Sequence, residues 1–256
     1  MAAGPRVHTE RNRAESFGGV AESYDRYRPS YPSALIDDLA ATAPAAVLDI
    51  GCGTGKATRL LIERGLNVLG VEADARMAQV ARQNGVQVEV ATFEAWDSRG
   101  RTFDLLTAAQ SWHWVDPAVG VAKAAELLRP NGVLALFWNH SIWVRPTKAD
   151  FEAVYRTYAP DLLARAEQQA AHLDEHRFFN DVRASGAFTQ TDERNYARTL
   201  TYSADDYVSM VNTYSDHIAL PSTARSSLSK ALRHMIAAAG GEVALVTRTY
   251  VVRAIR

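Results

Sequence analysis

Glycines stand at alternate positions in Leu48-Asp49-Ile50-Gly51-Cys52-Gly53-Thr54-Gly55, directly after a short apolar run. That spacing lets a backbone turn tightly into a helix and pass close to a ligand where any Cβ would collide. The phosphate-binding patterns can be tested against it. A Walker loop ending at Gly55-Lys56 would need glycine at position 50 and Ser or Thr at 57, where the chain has Ile50 and Ala57. A dinucleotide fingerprint begun at Gly51 and Gly53 would need its third glycine at Lys56. What remains is an acid, Asp49, two residues ahead of Gly51, Gly53 and Gly55. A carboxylate there repels a pyrophosphate and attracts a cationic or hydrogen-bond-donating ligand. Glu72 closes the next apolar run, where acids of nucleotide-type sites accept from ribose hydroxyls, and Phe93-Glu94 follow a third run. Three acids around a glycine loop suit a nucleoside bearing an amino group or a positive charge.

The elements that must position these residues follow from patterning. Residues 46–50, 67–71, 86–90, 103–109 and 133–138 read as short strands, and 56–64, 74–83 and 117–128 as helices between them. Regular alternation of strand and helix predicts βαβ units: an α/β, doubly wound, parallel sheet with helices on both faces, ligands binding at the strands' carboxyl ends. Ahead of this unit, Pro29 and Pro32 forbid a continuous helix over 16–32, and Ser33 is expected to cap a short one. Behind it the pattern changes. Phe151, Val154, Tyr155 and Tyr158 share a helix face, 161–185 read as mostly helical, and Ser203 and Ser222 are expected to cap two more helices. Strands at 188–202 and 243–255 bracket that last helical insert, which suggests a lid over the sheet's edge. The division expected is a mobile arm over 1–15 and one domain over 16–256, with helical insertions near 145–185 and 203–240.

The loop, Glu72 and Phe93-Glu94 together resemble the motifs of class I S-adenosylmethionine-dependent methyltransferases. The segment from Phe17 to Pro32, with Tyr24, Tyr27, Arg28-Pro29 and Tyr31-Pro32, and the Trp112-His113-Trp114 element resemble a small-molecule subgroup that includes trans-aconitate and menaquinone-type methyltransferases. The resemblance implies a seven-stranded, mostly parallel, Rossmann-like sheet whose seventh strand runs antiparallel, with helical lid elements. It implies S-adenosylmethionine as cofactor and S-adenosylhomocysteine as product. It places Tyr24, Arg28, Asp49, Gly51, Gly53, Gly55, Glu72, Phe93, Glu94 and Ser111 around the cofactor, with Glu72 on the ribose and Phe93-Glu94 at the adenine.

Within that frame the remaining candidates take roles. Methyl transfer from a sulfonium is an in-line displacement, and alignment alone can contribute ~7–11 kcal/mol to catalysis. A carboxylate acceptor needs no base; an alcohol does. His113 is the candidate general base, since it follows the fourth strand beside the expected methyl. If 112–114 are extended, Trp112 and Trp114 share one face and His113 takes the other. Trp112, Asn139 and His140 are candidate substrate contacts, and Arg28 offers a planar fork for the cofactor's carboxylate. Each has a structural alternative: packing for Phe93 and the tryptophans, a backbone-bonded ring for His113. Cys52 has no basic partner nearby in sequence, which favours a small loop residue over a nucleophile. His172, His176, His217 and His234 form no metal spacing, so no metal is expected.

Composition bounds the rest. The chain has 256 residues, 47% hydrophobic and 22% charged, with 28 Lys and Arg against 29 Asp and Glu. This is a globular composition, large enough to fold without metal or disulfide staples. A net charge of −1 argues against nucleic acid as partner, and the short apolar runs argue against a membrane span. A cytoplasmic enzyme acting on a small organic acceptor, most naturally at oxygen, is the leading reading. A non-catalytic, regulatory module holding the same nucleoside is the alternative, and a nicotinamide-dependent reductase a weaker one.

Overall fold

In the computed structural model of the chain, the described residues are 15–171 and 176–256. The arm expected over 1–15 falls almost wholly outside them, as does His172. Seven strands form one sheet: β1 Val47–Ile50, β2 Val68–Glu72, β3 Gln87–Val90, β4 Phe103–Ala109, β5 Leu128–Arg145, β6 Gln190–Ser203 and β7 Glu242–Ile255. Their order is β3-β2-β1-β4-β5-β7-β6. The first five are parallel, and β7 runs antiparallel between β5 and β6. The order reverses between β1 and β4, and at such a switch point the strand ends diverge and leave a crevice.

The helices follow in chain order: α1 Ala21–Tyr27, α2 Ser33–Ala40, α3 Lys56–Ile62, α4 Ala75–Gln83, α5 Pro117–Leu127, α6 Lys148–Tyr158, α7 Pro160–Ala171, α8 Arg177–Ala184, α9 Ala204–Val211, α10 Ser215–Ile218 and α11 Ser222–Ala238. Alternating side chains of the sheet feed two cores. Leu134, Leu136 and Trp138 pack with Val121 and Ala124 of α5 and Val182 of α8. Val133, Ala135 and Phe137 pack with Leu35, Ile36 and Leu39 of α2 and Leu61 of α3 on the other face. Burying each such leucine fully contributes ~1.5–3 kcal/mol.

A third core belongs to the insertions. Phe151, Tyr207, Met210, Val211, Leu228, Leu232 and Ile236 are buried together with Val243 and Leu245 of β7. The aromatic faces of α6 and α9 are therefore packed. They are carried by the long antiparallel ribbon of β5, β7 and β6, in which Trp143 lies opposite Leu245 and Leu200 opposite the same residue.

Particular expectations need correction. The fifth strand is not confined to 133–138 but runs to Arg145, because β7 continues to pair with it. Ser203 caps α9, accepting from the Asp206 amide at 3.1 Å. Ser33 and Ser222 do not cap: each is the first helical residue, and Pro32 and Pro221 hold the cap positions. The helical stretch 161–185 is divided between α7 and α8. Residues 112–114 form a 3-10 turn rather than an extended segment, so the two tryptophans do not share a face.

Candidate active site

The glycine loop leaves β1 at Ile50 and enters α3 at Lys56. Gly51, Gly53 and Gly55 have φ of 64°, 58° and 84°, the left-handed region that side chains disfavour. Gly51 carries a second demand. A Cβ there would lie 2.5 Å from the Cβ of Ser111, whose hydroxyl donates to the Ile50 carbonyl and closes β4 against β1. The amides of Gly51 and Cys52 donate to the Val71 carbonyl at 2.8 and 3.1 Å. Glu72 completes the turn: Oε2 accepts from the Gly53 amide at 2.8 Å and Oε1 from the Asp74 amide at 2.9 Å. Burial pushes its carboxyl above the ordinary range, and those amides pull part of the way back.

Asp49 lies elsewhere than its expected role requires. It is fully buried on the α3 face, its oxygens accepting from Thr107 at 2.8 Å and Thr58 at 2.5 Å. Burial raises its carboxyl to about 6, against the opposing effect of the two hydroxyls. It locks β1, β4 and α3 together beneath the loop and reaches a ligand only through its field. Burial also pushes the Cys52 thiol well up, which keeps it protonated and inert.

The segment ahead of β1 covers the crevice. Asp25 pairs with Arg59 of α3 at 2.7 Å, and the Asp25 carbonyl accepts from Lys56. Phe17 meets Tyr24 and Trp114 edge-on, at 5.8 and 6.3 Å between ring centres. Burial raises the Tyr24 phenol, with Arg28 and Glu72 both within electrostatic reach. Arg28 does not stand as an open fork. Its Nε and Nη2 donate to the hydroxyl and carbonyl of Thr213 at 2.7 and 3.0 Å, and it lies over Tyr24 and Tyr214.

At the neighbouring corner, Glu94 accepts from the Asp116 amide at 2.8 Å and holds the start of α5. Phe93 and Trp112 are buried against each other at 6.0 Å, so packing describes them better than a cofactor wall or a substrate contact. His113 is half-buried beside Trp114, and Trp138 Nε1 lies 3.4 Å from its Nδ1. An imidazole accepting through Nδ1 carries its proton on Nε2, which suits a donor rather than a base. Asn139 is committed too: it donates to the Ser30 carbonyl at 3.0 Å and accepts from Thr249 at 2.6 Å. His140 sits opposite Arg248 in the ribbon. Among the described residues no cluster of His, Cys, Asp and Glu could hold a metal, and His176 pairs with Glu193 at 2.6 Å.

The structure thus gathers Gly51, Gly53, Gly55, Glu72, Ser111 and Tyr24 at one crevice and gives Asp49, Phe93, Trp112 and Asn139 supporting places. Sequence reasoning missed Thr58 and Thr107, although Thr107 stands opposite Asp49 in the β1–β4 register and is a polar residue in an apolar strand. It missed Thr213, which no spacing connects to Arg28. It also missed Thr54, whose buried hydroxyl within the loop has no protein partner.

Against this geometry the comparisons can be read. A family model for a methyltransferase domain matches residues 48–136, the stretch from β1 through the first half of β5. Residues 48–136 form a class I methyltransferase domain. Proteins of Mycobacterium tuberculosis and Mycobacterium bovis named as uncharacterized methyltransferases are 42% identical over 133 residues, 51% of this chain and 55% of theirs. A trans-aconitate 2-methyltransferase of Azoarcus is 40% identical over 108 residues, 39% of this chain and 42% of its own. The chain thus spans about half the length of the curated relatives it matches. A solved structure from Anaeromyxobacter dehalogenans, described as a candidate type II methyltransferase, covers 90% of this chain and 98% of its own, with a TM-score of 0.61 and 24% identity, and shares the fold.

The methyl donor of class I methyltransferases is S-adenosylmethionine, and the methyltransferase domain has groups that fit it. Each Glu72 oxygen accepts one amide and keeps lone-pair capacity for a ribose diol. The Thr54 hydroxyl is an orphaned polar group in the loop, and the buried acids Asp49 and Glu72 supply negative potential beneath a cation.

Proposed function

We propose that this chain transfers a methyl group from S-adenosylmethionine to an oxygen of a small organic acceptor, a carboxylate or a hydroxyl. The observation that carries the reading is the left-handed glycine loop tied to Glu72 by the Gly53 amide, at the sheet's switch point. When bound, the sulfonium supplies an electrophilic methyl carbon. The protein's part is to bind, align and exclude water. Glu72 and Thr54 hold the nucleoside, Asp49 fixes the loop, and Phe17, Tyr24 and Trp114 close the crevice from above. With the donor bound, a lone pair of the acceptor oxygen would become the new O–C bond, and the bonding electrons of the broken C–S bond would leave with sulfur. A carboxylate loses its charge in the step and releases no proton. A hydroxyl must give up a proton, and His113 with its lone pair turned to Trp138 is poorly placed to take it.

The reading takes residues 16–256 as one working unit, a small molecule rather than nucleic acid as partner, and the cytoplasm as its setting, where a buried free thiol such as Cys52 stays reduced. No helix among the described residues is long and apolar enough to cross a membrane. The test is incubation with methyl-labelled S-adenosylmethionine and a metabolite extract, followed by extraction. Label in base-labile methyl esters or in ethers supports the reading; label only in amines, or none in any product, contradicts it.

A further inference from the structure

Residues 92–96 leave β3 beside the ribose acid, where the Ala91 amide donates to the Glu72 carbonyl at 3.0 Å. The turn closes on itself, the amides of Ala95 and Trp96 donating to the Thr92 carbonyl at 3.2 and 2.9 Å. Its larger side chains are committed elsewhere. Phe93 is buried against Trp112, and Glu94 accepts from the Asp116 amide. Trp96 Nε1 donates to Glu89 at 2.6 Å, and Arg101 grips that carboxylate with two bonds of 2.9 Å. What the turn has left to meet a base is mainly its backbone. Lys123 of α5 decides which part of that backbone. Its Nζ donates to the Glu94 carbonyl at 3.1 Å and to the Trp96 carbonyl at 2.5 Å, and lies 5.4 Å from the Phe93 ring centre. The Phe93 amide has no protein acceptor among the described residues.

Lys123 is half-buried, and burial pulls its ammonium below the ordinary range, with Glu94, Asp97 and Glu126 opposing. A cation held there is costly unless its hydrogens find acceptors. Here the acceptors are two carbonyls of one turn, and bonds from a charged donor are roughly twice as strong as neutral ones. They occupy the carbonyls at 94 and 96 and draw them towards α5, so the turn keeps donors for a ligand. Two purines differ in how they meet such a surface. Adenine carries an amino donor beside a ring-nitrogen acceptor. Hypoxanthine carries an oxo acceptor beside a ring N–H, the reverse pattern. A surface of donors suits the ring nitrogen of adenine and opposes the N–H of hypoxanthine. A backbone fixed in one shape tells the two apart, and a loosened one accepts both.

We propose that Lys123 is a positioning residue for the purine end of the cofactor seat: by gathering two carbonyls of turn 92–96 onto α5, it fixes the backbone that reads the base. This rests on the methyl-transfer reading with S-adenosylmethionine as donor, and assigns the base specificity of that seat to a residue outside the glycine loop. Lys123 acts through the turn, not by contact with the base.

The experiment compares S-adenosylhomocysteine with its 6-oxo analogue, S-inosylhomocysteine, by calorimetric titration of wild type, Lys123→Met, Lys123→Gln and Lys123→Arg. Wild type should prefer the amino compound by about tenfold or more. Lys123→Met keeps the length of the stem and removes charge and donors. It should weaken S-adenosylhomocysteine by about fivefold or more and S-inosylhomocysteine much less, so that the preference shrinks. Lys123→Arg, which can donate to both carbonyls, should recover part of the preference. A tie that served stability alone would lower the melting temperature and leave the ratio of the two affinities as in wild type. Melting curves select variants that fold. Where Lys123→Met does not fold, Lys123→Gln takes its place with the same shrinkage expected, and Lys123→Arg remains the rescue. An unchanged ratio in the folded variants, equal losses of both compounds, or equal affinities of wild type for the two overturns the role of Lys123 and leaves the donor reading intact. Failure of wild type to bind S-adenosylhomocysteine overturns both.

Discussion

Asp49 shows how a residue can sit in a binding motif and act from behind it. Its two threonine hydroxyls are sealed from solvent, so Asp49→Ala leaves both without an acceptor. We expect a loss of ~2–4 kcal/mol, with a melting temperature lower by roughly 5–10 °C. Asp49→Asn keeps hydrogen-bonding capacity and should cost less; calorimetric melts of the two variants check the order. Gly51 admits a sharper test. Gly51→Ala puts a Cβ at positive φ and 2.5 Å from Ser111 Cβ, so affinity for S-adenosylhomocysteine should fall. Adding Ser111→Gly removes the struck atom, and a double-mutant cycle should show part of the loss restored. Equal losses in the single and double variants would place the strain elsewhere.

Two buried groups set opposite pH dependences. Burial lowers His217 from its ordinary 6.5 to about 4. The stability this gives is full above about 6.5 and is lost as pH falls towards 4, by ~3 kcal/mol. Asp49 is raised from 3.8 to about 6, so its contribution is full below 3.8 and is lost as pH rises through 6, by a similar ~3 kcal/mol. Urea midpoints between about pH 4 and 7 separate them. The two windows overlap and oppose each other, so relative to wild type His217→Asn should make stability fall as pH rises from about 4 to 6, and Asp49→Asn should make it rise over the same range.

At the scale of elements, the lid has its own core, separate from the two on the sheet. Leu232 is fully buried there, and Leu232→Ala should cost ~2–5 kcal/mol. Hydrogen exchange should show the loss of protection concentrated in α6, α9 and α11, with the amides of β1 and β4 unchanged; uniform loss would mean that lid and sheet unfold as one unit. The βαβ portion was legible because its strands are near-continuous apolar runs punctuated by glycines, and because acids close β2 and follow β3. The caps at Ser33 and Ser222 misled for a local reason. A cap residue needs extended backbone, and Pro32 and Pro221 already adopt it, at ψ of 135° and 142°. The length of β5 and the turn at Trp112-His113-Trp114 were not legible, since the first depends on pairing with β7 and the second on closure over Glu94 and Asp116. The Arg28–Thr213 and Tyr155–His217 contacts join residues far apart in sequence, and no periodicity encodes such pairs.

Taken as a whole, the molecule gathers buried acid beside its glycine loop. The carboxylates of Asp49 and Glu72 lie under the glycine loop, while Arg28 and Arg198 are bonded to Thr213 and the Ser30 carbonyl away from it. The arrangement depends first on the donor seat. Its most direct test is calorimetric titration of S-adenosylhomocysteine into wild type and Glu72→Ala. The account predicts a single site in wild type and affinity about tenfold or more weaker in the variant, the loss of a ribose contact worth ~1.5–3 kcal/mol. No heat with wild type, or the same affinity in both proteins, would contradict it.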